Sequence, residues 1–110
     1  MSEVEKIAIE NSSGNVYEDL GFENPEEMQI KARLVAKIQQ IISDRGWKQQ
    51  EAARVLGMSQ PKLSGMLRGQ FHGITEFKMM EYLRRLGCDV QIVVSPAHMP
   101  ATGSLDVVMA

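Results

Sequence analysis

Polar side chains gather in one short stretch, Ser59-Gln60-Pro61-Lys62-Leu63-Ser64, with Arg68 one helical turn beyond it. Hydroxyls, an amide, an ammonium and a guanidinium form hydrogen bonds and carry charge, but they include neither an activated nucleophile nor a metal-ligand set. The chemistry they suit is recognition. Gln60 has the donor and acceptor needed to pair with the N6/N7 edge of adenine, and Pro61 has the apolar surface to meet a thymine methyl. Lys62, Ser64, Arg68 and the upstream amide of Gln49 suit phosphate oxygens, which fix register without reading sequence. Ser59 opens this polar turn.

Residues that could support catalysis are scattered. His72 and His98 fall in a loop and in the tail, with no carboxylate or cysteine at triad or metal-ligand spacing. Cys88 beside Asp89 reads as a small packed hydrophobe, and Gly14, Gly21 and Gly57 make no phosphate loop. Trp47 reads as core or boundary packing. No enzymatic activity, metal or cofactor is expected.

The polar stretch needs helices to position it. Asn24, Pro25 and Glu27 have the spacing of an N-cap, a proline at the first helical position and a capping-box acid. Met28, Leu34, Val35, Ile38, Ile41 and Ile42 then draw one apolar stripe that stops at Gly46. A second helix over residues 49–56 turns Ala52, Ala53, Val55 and Leu56 inward and ends at Gly57. Ser59 caps a third helix, with Pro61 in its first turn and Leu63, Met66 and Leu67 on its apolar side. Thr75 caps a fourth, with Ile74 stapled onto Met79, a buried face of Phe77, Met80, Leu83 and Leu86, and a stop at Gly87. Residues 88–94 switch to period two, with Val90, Ile92 and Val94 on one side, and read as a strand.

At 110 residues the chain supports one domain, and with 5% aromatic content and eight methionines its core is aliphatic. The net charge of −2 is a sum of opposites: −7 over residues 1–30, +7 over residues 31–86 and −2 beyond. A basic body of this kind suits a polyanion. Residues 1–23 read as a flexible acidic arm, residues 24–94 as the folded domain and residues 95–110 as a loosely held tail. No stretch is long and apolar enough to span a membrane and none reads as a secretory signal, so a cytoplasmic protein is expected.

Two short helices joined through a glycine corner make a helix-turn-helix, whose second helix enters the major groove. Ala53 is small where that helix packs over it, Gly57 makes the turn, and Met58 and Leu63 bury the unit onto helix one. The fold class expected is a mainly α, compact bundle containing this unit. Its solitary strand, too apolar for a free edge, pairs with the same strand of a second copy or with residues 4–9 of the arm.

The stretch "KQQEAARVLGMSQPKLSGMLRG" resembles the Xre and phage-repressor type of helix-turn-helix, with Gln49, Ala53, Gly57, Ser59, Leu63 and Ser64 in register. Gly65 departs from it, standing where many relatives carry a long polar side chain that reads a base. The flanks "GNVYEDLGF" and "EYLRRLGCDVQIVV" are similar to the HigA-type antitoxins. That resemblance implies a homodimer that binds a palindromic double-stranded operator, represses its own operon and sequesters a RelE/HigB-like ribonuclease toxin. A stand-alone Xre-type repressor without a toxin is the alternative.

Overall fold

The computed structural model describes residues 25–98 and 102–110. The expected Asn24 cap, the arm over residues 1–23 and its pairing segment 4–9 therefore lie outside the described residues. Helix α1 runs Pro25–Asp44, with Glu26 and Glu27 in its first turn, where carboxylates favour the positive end of the helix dipole. Its apolar stripe buries Ile30, Leu34, Val35, Ile38 and Ile42, with Met28 and Ile41 packed at the margin. Helices α2 (Gln49–Leu56), α3 (Gln60–Leu67) and α4 (Glu76–Arg85) follow. Helix α4 packs on α1, and α3 on both α1 and α2.

The caps act as the spacing predicts. Ser59 Oγ accepts from the Lys62 backbone N–H at 3.3 Å, and Thr75 Oγ1 accepts from that of Lys78 at 3.1 Å. At the corner after α2, Gly57 adopts φ +74°, its N–H donates to Arg54 O, and the Met58 N–H reaches back to Ala53 O at 3.0 Å. This is a Schellman closure, which satisfies carbonyls that the helix end leaves without partners.

The core is aliphatic with two aromatic members, Phe71 and Tyr82, and Tyr82 is 1% exposed. Two corrections to the sequence reading emerge here. Phe77, expected on the buried face of α4, is 74% exposed, and the fully buried residue is Met79. The face turns because Met79, Tyr82, Leu83 and Leu86 give the three-to-four spacing that meets α1, whereas Phe77 lies off that line. Lys31, one of the bases that make the 31–86 body positive, is buried at 4%: its stem lies in the core and its Nζ donates to the His72 carbonyl at 2.9 Å.

Residues 88–94 form no ladder with any other described segment, so the expected strand is absent among the described residues. Cys88 and Val90 pack against the edge of the core, while Ile92, Val93 and Val94 stand exposed. Residues 102–110 have no regular structure but touch α1: Arg33 ion-pairs with Asp106, the Leu105 N–H donates to Glu26, and Val107 packs against the core.

The packing of α4 separates two substitutions that the sequence would place together. Met79→Ala is expected to cost about 2–5 kcal/mol as a fully buried truncation, and Phe77→Ala to change stability by no more than about 0.5 kcal/mol. Urea unfolding of both variants checks this.

Candidate nucleic-acid interface

The candidate interface is the outward side of α3. Because Leu63 and Met66 are fully buried and Leu67 is partly so, the helix presents its opposite side to solvent. Gln60, Pro61, Lys62 and Arg68 are exposed there, with Ser64 half-buried among them. The Arg68 Nη1 donates to Ser64 Oγ at 2.6 Å, so the side chain reaches back one turn along the helix and sets its guanidinium beside that hydroxyl. The Ser59 hydroxyl is engaged in the cap and keeps its own proton to donate. Gln49 is half-buried at the first position of α2, where Lys48 is the N-cap residue but its side chain makes no cap bond.

Helix α4 braces this pair. Arg85 Nη1 donates to the Leu56 carbonyl at 3.3 Å, and its guanidinium covers Gly57 so closely that a Cβ there would sit 2.5 Å from Nη1. Glu81 holds Arg85 by an ion pair of 3.2 Å and Lys78 by one of 3.3 Å. The hydrogen bond and charge of Lys78, assisted by Arg85, keep the Glu81 carboxyl below its ordinary range. The corner after α2 is thereby tied to α4 from outside as well as through the core.

Beside α3 lies an open concavity of about 520 Å³, lined by Pro61, Lys62 and Gly65 of α3, Gln70 of the following loop, and Thr75 and Lys78 at the start of α4. Lys62 and Lys78 make its rim cationic. Sequence reasoning pointed to the α3 side of this hollow and missed Gln70 and Lys78, whose approach depends on how the loop folds back. One signal was present: Gly69 stands one residue past the α3 C-cap, Arg68, where a left-handed residue returns the chain over the helix.

The structure brings Ser59, Gln60, Pro61, Lys62, Ser64 and Arg68 together on one helix, with Gln49 on its partner. Val90, Ile92 and Val94 lie apart, on the C-terminal segment. Neither histidine has an acidic or thiol cluster around it: among the described residues no group of three or more His, Cys, Asp or Glu could hold a metal ion. No helix among them is long and apolar enough to cross a membrane.

The sequence model of a helix-turn-helix domain matches residues 16–95. A solved structure assigned to the XRE family of transcriptional regulators superposes with a TM-score of 0.73 at 32% sequence identity, over 77% of this chain and 97% of that one. No curated protein sequence matches the chain. With a helix pair closed by a glycine corner, a polar outward face on its second helix and both comparisons in agreement, the chain belongs to the XRE-type helix-turn-helix family of DNA-binding transcriptional regulators.

Proposed function

We propose that the chain is a sequence-specific repressor that binds the operator of its own operon as a homodimer in the cytoplasm, and that it is the antitoxin of a RelE/HigB-like ribonuclease toxin. The observation that carries the DNA half is the exposure of Gln60 and Pro61 in the first turn of a braced α3, flanked by Lys62 and Arg68. Helix α3 enters the major groove with Gln60 on an adenine edge and Pro61 against a thymine methyl. Gln49, Ser59, Lys62, Ser64 and Arg68 hold phosphates and fix the register.

Titration of the upstream operator and of mixed-sequence DNA by fluorescence anisotropy tests this. Affinity falls with salt along a log–log slope of roughly −0.9 per phosphate neutralised. Gln60→Ala relaxes preference at one base pair at a cost of about 1–3 kcal/mol, while Arg68→Ala weakens all sequences alike. Equal losses by both variants on both DNAs would refute the division into reading and anchoring residues.

The dimer half rests on Val90, Ile92 and Val94, the last two exposed together with Val93 on the segment that follows α4. Free apolar edges are rare in stable monomers. The same segment of a second copy, running antiparallel about a two-fold axis, supplies the missing ladder and covers these side chains. Two α3 helices then lie about one DNA turn apart, roughly 34 Å, on a palindromic operator. Ile92→Lys is expected to convert the dimer to a monomer in sedimentation and to weaken operator binding far more than non-specific binding. An unmutated protein that sediments as a monomer at micromolar concentration ends this part of the reading.

The antitoxin half is supported by the likeness of the flanks to HigA-type proteins and by the acidic arm, whose charge complements a basic ribonuclease. Co-expression with the product of the adjacent gene gives a stable complex, and deletion of residues 1–23 abolishes neutralisation while leaving DNA binding intact. The alternative is a stand-alone repressor of the XRE type, the solved relative being described as a transcriptional regulator. It is the outcome if no adjacent product co-purifies.

A further inference from the structure

Helix α3 has a gap in its outward face. Pro61 and Arg68 are exposed on it, and Gly65 lies between them with no side chain. A glycine on a solvent-facing row would be open to water, yet Gly65 is buried. Its cover is the side chain of Gln70: a Cβ built on Gly65 would stand 2.9 Å from Gln70 Oε1 and 3.8 Å from Gln70 Cβ.

The arrangement follows from how the helix ends. Gly69, at φ +103°, turns the chain back, and the Gln70 N–H donates to the Gly65 carbonyl at 2.8 Å. That bond spans more residues than the other that closes a Schellman end, and it places the second residue past the cap over the third residue from the helix terminus. In this motif the two commonly make an apolar contact. Here they are a glutamine and a glycine, so a polar side chain rests on the outward face of the helix. Gln70 is itself exposed, and its amide makes no hydrogen bond to any described residue. It borders the concavity whose rim carries Lys62 and Lys78.

We propose that Gln70, though outside the recognition helix, is a specificity-determining residue: its amide occupies the space above Gly65 and reads a base edge there. An amide on that surface has the donor and acceptor to pair bidentately with adenine, the role proposed for Gln60 in the first turn of α3. Lys62, on the same concavity, holds a flanking phosphate. The proposal rests on α3 meeting the major groove, and it makes Gly65 the residue that admits the second reader.

Selection from a duplex pool with a randomised core, performed with the full chain, tests it. The wild type enriches one consensus, and Gln70→Ala enriches the same consensus except at one base pair per half-site, where discrimination falls about tenfold. Affinity for mixed-sequence DNA stays the same. Gly65→Ala relaxes that same base pair, because its Cβ displaces the end of the Gln70 side chain. Its melting temperature does not fall, since alanine is the better helix former. A Gln70→Ala consensus identical to the wild type at every position, or a uniform loss on all sequences, overturns the proposal and leaves the α3 reading intact. A wild type that enriches no sequence overturns both.

Discussion

The geometry of the candidate interface depends on one backbone constraint, the left-handed corner at Gly57. A residue with a Cβ pays roughly 1–2 kcal/mol to hold that conformation, and here its Cβ would also push against the Arg85 guanidinium. With glycine in place, the chain leaves α2, closes its carbonyls and reaches the Ser59 cap two residues later. Neither α2 nor α3 is long enough to be stable alone in water, so their packing on α1 and α4 and the corner between them hold both.

Charge is used in two different ways around this corner. Lys31 is drawn inward to the His72 carbonyl, while Arg85 stays exposed and reaches the Leu56 carbonyl from outside; each ties a loop or helix end to a distant element. Lys62 and Arg68 stay outward. The positive charge of the body therefore overstates what a polyanion meets, because part of it is structural. The overall charge of −2 understates it, because most of the acid lies in the first 30 residues. A field at a surface is set by nearby charges more than by distant ones, which salt screens.

Methionine and glycine give this small core its tolerance. Met66 and Met79 are fully buried at the junctions of α3 and α4 with α1, where an unbranched, polarisable side chain fills irregular space. Gly65 does the opposite at the surface, creating space that the next turn of chain fills. The result is a helix, α3, whose outward face is built from two segments.

Much of the local structure was legible in the residues. The stop signals at Gly46, Gly57 and Gly87, the hydroxyl caps at Ser59 and Thr75 and the apolar stripe of α1 are local preferences, decided within one helical turn, and they appear as read. The polar turn at Gln60 was legible for the same reason. What sequence by itself could not decide was which of two adjacent candidate residues faces the core, and Phe77 against Met79 was resolved by where α1 lies. Nor could it decide that Lys31 is buried, since its partner is a backbone carbonyl 41 residues away. The seat of Gln70 on Gly65 joins a helix to the loop beyond it, and the contacts of residues 105–107 with α1 join the two ends of the described chain. Those are distances between segments, and periodicity carries no information about them; only the packed tertiary structure sets them.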